Sequence, residues 1–250
     1  MKAVLHRPRT TMPRSRGALG GAANAALADR VFEQLRSDIL HARVRPGDAL
    51  SENSLALSMT VSRTPVREAV QRLVREGLVQ VLPQRGSYVA RLSMQRIRDA
   101  LFVREAVEGQ IVRRFLDAPP NPQALLALDA CIGRQAAALA AQDIEAVLRA
   151  DEAFHRCLLD SCGLGGVWSV VAQARDMHQR TRAIALPELQ SGERALADHR
   201  AIVAALRARD PELASRAMQE HLGRNEPLML GVAALHPDYF EEDGHVDSGT

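Results

Sequence analysis

Four side chains of types that commonly bind transition metals recur at helical spacing in the second half of the chain. Asp151 and His155 are four residues apart, so on a helix their side chains point to the same face. His199 and His221 each lie in phase with the apolar residues of a later segment, which predicts that they face a core. One carboxylate and three imidazoles inside a helical bundle suit a divalent transition metal and leave one or two positions for water or a ligand. The sequence therefore predicts a metal site at these four residues.

Arg104 and Glu108 place charge in an otherwise apolar helical stripe that runs from Ile97 to Phe115. Charge on a core-facing stripe needs a partner, and two side chains four residues apart can neutralise each other. His178 lies near the phase of the apolar positions of a further helix. It either lines a pocket or is a buried structural histidine, and the residues alone leave both readings open.

Two arginines on the free face of an earlier segment predict contact with DNA. Arg63 and Arg67 are four residues apart and lie opposite an apolar face. Ser62 or Thr64 can cap this helix by accepting a bond from a free backbone N–H. Two short alternating segments follow, separated by a basic turn at residues 84–87. A basic helix followed by a basic hairpin is typical of a winged helix-turn-helix, whose hairpin tip can contact phosphates or the minor groove.

The elements that position these residues divide the chain into a basic part and an acidic part. Residues 1–91 carry 15 Lys and Arg against 7 Asp and Glu, whereas residues 92–250 carry 17 against 23. The basic part favours binding to DNA phosphates, and the acidic part avoids them. Lys2 is the one lysine of the chain, so its other basic side chains are arginines.

The composition predicts a mainly α protein with two domains. Aromatic residues make up 3% of the chain, and its length suffices for two modest cores. We expect a disordered arm over residues 1–24 and a winged helix-turn-helix with a small β wing over residues 25–91. An all-α antiparallel helical bundle over residues 94–230 and a disordered tail over residues 231–250 should follow.

The cysteine pattern and the hydropathy predict a cytoplasmic protein. The three cysteines form no CxxC motif and are odd in number, which favours reduced thiols over disulfides. No apolar run approaches the roughly 20 residues that are needed to span a bilayer. We therefore expect no membrane segment.

Residues 30–91 resemble the DNA-binding domain of GntR-type transcriptional regulators. The motifs that carry the resemblance are LRSDIL at 35–40, PGDALSE at 46–52, VSRTPVREA at 61–69, RLVREGLV at 72–79 and RGSYV at 85–89. The resemblance implies that the two helix arginines reach base edges or phosphates in the major groove, that the adjacent threonine helps to position them, and that the wing contacts the neighbouring groove. The predicted DNA-binding residues are Ser62, Arg63, Thr64, Arg67, Arg85 and Gly86. Ala42 departs from the family pattern, which usually has glycine at this position.

Residues 94–225 resemble the FCD effector domain of the FadR-like branch of these regulators. The motifs are REAVE at 104–108, DEAFH at 151–155, DHRAIVAAL at 198–206 and MQEHL at 218–222. The resemblance implies that the Asp and the three His ligate a metal, with Zn²⁺ expected and Ni²⁺ or Mn²⁺ as alternatives. It further implies that Arg104 binds a carboxylate, so that a small organic acid bridges the metal and Arg104. We assign His178 to the same effector pocket.

These features predict a homodimeric regulator, with a repressor as the expected type, that binds a near-palindromic operator in double-stranded DNA. A small organic acid at the metal would control its affinity for the operator. The main alternative is a metal-dependent, hydrolase-like enzyme, because an open Asp/His site could activate water. We predict no enzymatic activity, since Glu152, the nearest further acid, points away from the site. A direct metal sensor or a purely structural metal site is the third alternative.

Overall fold

The computed structural model describes residues 16–189 and 191–241 of the chain. Within these residues, the N-terminal part contains helices and short strands in the order of a winged helix-turn-helix, as predicted. Its elements are α1 (Arg16–Leu40), β1 (Ala49–Leu50), α2 (Glu52–Ser58), α3 (Arg63–Arg75), β2 (Val79–Leu82) and β3 (Gly86–Val89).

The core of the N-terminal part lies between α1 and α3. Val31, Leu35 and Ile39 of α1 are spaced four apart and are buried against Val66 and Leu73 of α3. Apolar residues at this spacing form one stripe on each helix, so packing the stripes together removes both from water. This contact sets the orientation of α3 and leaves its opposite face exposed.

The wing is a three-stranded antiparallel sheet in the order β1-β3-β2. Val79 of β2 lies opposite Val89 of β3, and Ala49 of β1 lies opposite Tyr88. The sequence predicts only β2 and β3, because a strand of two residues is too short to show alternation. Ser51 caps α2 as expected, accepting a bond from the backbone N of Ser54 at 3.3 Å.

The C-terminal part is helical, as the composition predicts. Its helices are α4 (Met94–Asp117), α5 (Pro122–Ala140), α6 (Ile144–Ser161), α7 (Trp168–Leu189), α8 (Gly192–Ala208), α9 (Pro211–Gly223) and α10 (Asn225–Leu235), with 3₁₀ turns at Gly165–Val167 and Pro237–Tyr239. Side-chain oxygens accept backbone N–H bonds at the starts of α4, α5, α6 and α9, which fixes where these helices begin. Among the described helices, none has the length and apolar character to cross a membrane.

The main core of this part lies between α4, α5, α6, α8 and α9, with Phe115, Leu128, Phe154, Ile202 and Met218 among its buried residues. α7 packs against α4, α6 and α10, and it also contacts α1 of the N-terminal part. Each of these helices can therefore contribute side chains to the interior of the bundle, and α7 extends from that interior to α1.

The N-terminal end differs from the expected disordered arm. α1 begins at Arg16, so residues 16–24 are helical, and residues 1–15 lie outside the described part of the chain. Ala42, shortly after α1, has a φ of 55°. An L residue pays about 1–2 kcal/mol for this left-handed conformation, whereas glycine does not. This cost accounts for the glycine that the family pattern has there.

The C-terminal end differs more strongly from the expected tail over residues 231–250. α10 extends to Leu235, and the next residues return to the connection between β3 and α4. There Phe240 forms a parallel bridge with Leu92, and Tyr239 and Phe240 are both buried. Two large aromatic rings supply enough apolar area to order a short segment that also contains Asp238 and Glu241. Residues 242–250 lie outside the described residues.

Candidate metal centre, cavity and DNA-binding surface

The four predicted metal ligands come together in one buried cluster. α6 contributes Asp151 and His155, α8 contributes His199 and α9 contributes His221, and one ligand atom from each lies within 4.8 Å of the others. Nε2 of His199 is 3.5 Å from Oδ1 of Asp151, and Nε2 of His221 is 3.3 Å from Nε2 of His155. Side chains from three helices therefore converge on one point, as their helical phase predicts.

Two of the histidines have an oxygen atom of a neighbouring side chain next to their second ring nitrogen. Nδ1 of His155 lies 2.5 Å from a carboxylate oxygen of Glu108 on α4, and Nδ1 of His199 lies 2.8 Å from Oε1 of Gln135 on α5. An ionised carboxylate and an amide oxygen accept hydrogen bonds, so Nδ1 carries the hydrogen in both rings. The lone pair of each ring is then on Nε2, which faces the cluster.

The third histidine has a carboxylate near its second ring nitrogen, at a distance too long for a hydrogen bond. Nδ1 of His221 lies 3.6 Å from Oδ2 of Asp198, and the same oxygen accepts a hydrogen bond of 2.8 Å from Nε of Arg224. Sequence reasoning missed both Asp198 and Gln135. Gln135 lies in a helix of alanines and leucines that indicates a scaffold, and only the tertiary packing brings its amide against His199.

Two arginines of α7, which sequence reasoning also missed, hold Asp151 from outside the cluster. Nη2 of Arg175 and Nη1 of Arg182 lie 2.7 Å and 2.6 Å from Oδ2 of Asp151. The other carboxylate oxygen, Oδ1, is buried and has no hydrogen-bond partner among the described residues, and the same holds for Nε2 of His199. A buried polar atom without a partner costs about 1–3 kcal/mol. Both atoms therefore favour a positively charged ligand between them.

Burial disfavours the charged forms of Asp151, His155 and His199, and the neighbouring charges decide which of these three groups ionise. Burial would raise the pKa of Asp151, but Arg182 and the other nearby cations hold it well below its usual value. Burial and the charge of Arg175 lower the pKa of His155 to about 3, and burial holds the pKa of His199 well below its usual value. At neutral pH these groups are one carboxylate and two neutral imidazoles, the protonation states that metal binding requires.

Glu108 connects the charged stripe of α4 to this cluster. Nε of Arg104 donates to Glu108 at 2.7 Å, as the four-residue spacing predicts, and Nη1 of Arg175 lies 3.4 Å from the same carboxylate. Burial would raise the pKa of Glu108, but Arg104 and His155 hold it well below its usual value. Glu108 therefore does more than neutralise Arg104, because it also orients the ring of His155.

A cavity of about 540 Å³ borders the cluster. His221 lies in its wall together with Arg104, Arg182 and Ser191, and Leu228 of α10 supplies part of the apolar wall. Nη2 of Arg182 and Oγ of Ser191 are buried without hydrogen-bond partners among the described residues. A cavity with a buried guanidinium N–H that lacks an acceptor favours an anionic ligand.

His178, which we assign to the same pocket from its phase, is not part of the cavity wall. The side chain is buried within the bundle, and burial together with the charge of Arg104 holds its pKa well below its usual value. Arg182, one helical turn further along α7, lies in the wall instead. Both ring nitrogens of His178 are buried without a hydrogen-bond partner among the described residues, so its assignment to the effector pocket stays a prediction.

The predicted DNA-binding residues of α3 lie on its exposed face. Arg63, Thr64 and Arg67 are exposed, whereas Val66 of the opposite face is fully buried. Neither arginine forms an ion pair with another described residue. Ser62 takes the N-cap position of α3, but its side chain makes no capping bond. The capping role expected of Ser62 or Thr64 is therefore wrong, and both hydroxyls are free of the helix N-terminus.

The predicted contacts of the wing lie at its tip. Arg85 and Gly86 are exposed in the turn between β2 and β3, and Gly86 has a φ of 106°. A Cβ atom at Gly86 would meet nothing within 4 Å, so the backbone conformation and not a lack of space requires glycine.

Comparison with known proteins assigns both parts of the chain. Residues 27–89 match the model for bacterial regulatory proteins of the gntR family, and residues 99–224 match the FCD domain. The chain is 41% identical over 219 residues to an HTH-type transcriptional regulator in an unstable DNA locus of Streptomyces ambofaciens, covering 85% of this chain and 89% of that protein. It is 30% identical over 214 residues to the HTH-type transcriptional repressor RspR of Escherichia coli K12, covering 86% and 93%. A crystal structure described as a transcriptional regulator GntR from Rhodococcus sp. RHA1 aligns with a TM-score of 0.71 at 25% identity, covering 82% and 98%.

The shifted histidines predict a pH-dependent stability. We expect the free energy of unfolding of the metal-free protein to fall as the pH decreases from about 7 to about 5. The pKa of His155 in the folded protein, about 3, lies below its usual value of 6.5, so in this range the unfolded chain binds the additional proton. Stability is therefore present above the unfolded pKa and is lost as the pH falls, by up to about 1.4 kcal/mol per pH unit for each such histidine. Urea denaturation across this pH range measures the slope.

A variant isolates the contribution of this histidine. His155→Asn should give a shallower slope by up to about one proton. Equal slopes for the His155→Asn variant and the unchanged protein would contradict the prediction.

Proposed function

Since this chain belongs to the gntR family of bacterial regulatory proteins and carries an FCD domain, it is a DNA-binding transcriptional regulator, and we propose that a small organic acid bound at a divalent metal controls its affinity for DNA. RspR and GlaR of Escherichia coli, two relatives of this chain, are named repressors, and we extend this mode of action to it. We propose that this chain acts in the cytoplasm. Its winged helix-turn-helix would span residues 25–91, and its effector domain would span residues 94–230.

The observation that carries the proposal is the set of buried ligand atoms next to a cationic cavity. Asp151, His155, His199 and His221 would hold the metal, since Oδ1 of Asp151 and Nε2 of His199 have no other partner among the described residues. Carboxylate and imidazole donors suit Zn²⁺, with Ni²⁺ and Mn²⁺ as alternatives. The bound ion would supply a positive centre to which a carboxylate can bind.

The chain's own side chains would select the rest of the effector. Arg104 and Arg182 lie in the cavity wall, and Nη2 of Arg182 lacks an acceptor. A guanidinium fork binds a carboxylate through two parallel hydrogen bonds, which orients the acid as well as holding it. Pro227 and Leu228 form an apolar part of the wall that can contact the carbon skeleton. The volume of the cavity limits the effector to a small molecule.

The N-terminal part would read the operator through α3 and the wing. Arg63 and Arg67 would bond base edges or phosphates in the major groove, and Ser62 and Thr64 would bond the adjacent backbone. Arg85 and Gly86 would approach the neighbouring groove. A homodimer would place two such modules on the two halves of a near-palindrome, because operator symmetry mirrors protein symmetry.

The enzyme hypothesis loses its support, since the family and the named relatives are transcriptional regulators. The metal-sensor hypothesis accounts for the ligand cluster but not for the cavity. A site that senses only the ion does not require Arg182 and Ser191 to be buried beside it without partners. The cavity therefore favours an organic acid as the signal over the metal alone.

The metal site predicts a specific loss of metal in one histidine variant. We expect about one zinc per chain in purified protein and below about a tenth of this in His199→Ala, because the Nε2 donor is removed. His178→Ala, which removes a buried histidine outside the ligand set, is the control and should keep its zinc. Gln135→Leu should weaken zinc binding by about 10–100-fold, because the ring of His199 loses its acceptor. Elemental analysis and zinc titration measure these values, and equal zinc contents in the two alanine variants would refute the site.

The exposed face of α3 predicts a loss of DNA affinity. Arg67→Ala should weaken operator binding by about 10–100-fold at constant salt, the equivalent of one bidentate base contact. Arg75→Ala is the matched control, since it removes an exposed arginine from the other end of α3, where it lines a cavity together with residues of α7. Gel shifts with a site selected from random DNA by the unchanged protein measure both. An unaltered affinity for the Arg67→Ala variant would show that this face does not read DNA.

The cavity predicts stabilisation by a carboxylate. In a thermal-shift screen of mono- and dicarboxylates with zinc-loaded protein, a binding acid at 100 times its Kd adds about 2.7 kcal/mol to the free energy of unfolding. At a zinc concentration that saturates the site, Arg182→Gln should weaken this acid by at least about tenfold, whereas Arg207→Gln, a surface change, should bind it normally. The absence of any stabilising acid, or an unchanged affinity in Arg182→Gln, would refute this part of the proposal.

A further inference from the structure

The connection between the two parts of the chain is bonded to the C-terminal part on two sides. It runs from Ala90 to Leu92, between β3 and α4. Nη2 of Arg180 on α7 donates a hydrogen bond to the backbone oxygen of Ala90. On the other side, the N–H of Leu92 donates to the oxygen of Tyr239 at 2.8 Å, and the N–H of Glu241 donates to the oxygen of Leu92 at 2.9 Å. The backbone of this linker is therefore fixed by α7 and by the segment Pro237–Glu241.

The buried arginine at position 180 lowers the stability of the folded protein. Its side chain is 1% exposed, and Nε and Nη1 have no hydrogen-bond partner among the described residues. Burial lowers its pKa to about 10, so the group is still charged at neutral pH. A buried charge with a backbone carbonyl as its acceptor destabilises the folded state relative to an apolar side chain of similar length. Stability alone does not account for an arginine at this position.

The same two elements form walls of the effector cavity. Arg182 lies two residues beyond Arg180 on α7, lines the cavity and contacts the carboxylate of Asp151. α10 lines the cavity with Asn225 and Leu228, and the segment that bonds to Leu92 follows α10 directly. A shift of α7 or α10 at the cavity would therefore reach the linker through the hydrogen bonds of Arg180 and of the segment Pro237–Glu241.

We infer that Arg180 and the segment Pro237–Glu241 form a clamp on Ala90–Leu92 that couples the metal and effector site to the DNA-binding domain. The inference rests on the proposed function, since it requires the cluster to bind a metal. Arg180 and Glu241 act as positioning residues, because they touch neither the metal ligands nor DNA. An ion in the cluster would fix the position of the Asp151 carboxylate, and the contacts of Arg175 and Arg182 with its Oδ2 would pass this restraint along α7 to the clamp and the linker.

Hydrogen exchange of the full-length protein, with and without zinc, tests the clamp. In unchanged protein, zinc should slow exchange of the peptides that contain Ala90–Leu92 by about tenfold, within the usual range of coupling between sites. Arg180→Met removes the guanidinium and keeps a long apolar side chain. Glu241→Pro removes the N–H that bonds to Leu92, and it is a milder change at the exposed end of the segment. Glu241→Ala, which keeps that N–H, and Arg207→Met, on the surface, are the matched controls.

The inference predicts that the zinc-dependent difference at the linker falls below about twofold in both clamp variants and is unchanged in both controls. Zinc content, measured in parallel, should equal that of the unchanged protein. If the clamp were only structural, the variants would exchange faster by the same factor with and without zinc, and that result would overturn the inference. A linker that exchanges equally with and without bound zinc in the unchanged protein would overturn it while leaving the metal site intact. A failure to bind zinc at all would overturn the metal site and the clamp together.

Discussion

The carboxylate of Asp151 is the group on which the organisation of the C-terminal domain depends. It is buried, yet the arginines of α7 keep it ionised, so its charge must be balanced by residues that the fold brings from elsewhere. Oδ2 is balanced by Arg175 and Arg182 of α7, and Oδ1 is left to face the histidines. One carboxylate oxygen of Asp151 therefore contacts α7, which reaches the DNA-binding part, and the other faces the cluster that can hold an ion. Removing the carboxylate would leave two buried guanidinium groups without their main acceptor.

Helical periodicity predicts the parts of this arrangement that lie on a single helix. Asp151 and His155 share a face because they are four residues apart, and the apolar residues around His199 and His221 give those two their phase. The exposed arginines of α3 follow from the same reasoning. In each case the necessary information is local, because the spacing of a few residues determines which side of a helix they occupy.

The residues that sequence reasoning missed depend on how helices pack against each other. Gln135 lies in an alanine-rich helix and gains its role only because α5 brings it against His199. Arg175 and Arg182 belong to a helix whose charged and apolar residues mix too closely for a clear stripe, since it packs on several sides. The acidic composition of the C-terminal segment predicts disorder, whereas the segment is ordered. Phe240 pairs with Leu92, which is far away in the sequence, so no local pattern indicates this contact. Composition reports an average, whereas two aromatic rings suffice to order a short segment.

The basic residues of this protein are almost all arginines, which limits the covalent modifications that can change their charge. The exposed basic residues of α3 and the wing are guanidinium groups, and the single amine side chain of the chain belongs to Lys2. Acetyltransferases act on lysine amines and remove their charge, whereas guanidinium groups are not substrates for that reaction. Acetylation therefore cannot neutralise the basic residues of α3 and the wing. Amine-directed cross-linkers will likewise leave α3 and the wing unlabelled, so trapping this protein on DNA calls for reagents that attack guanidinium groups or for photochemical cross-linking.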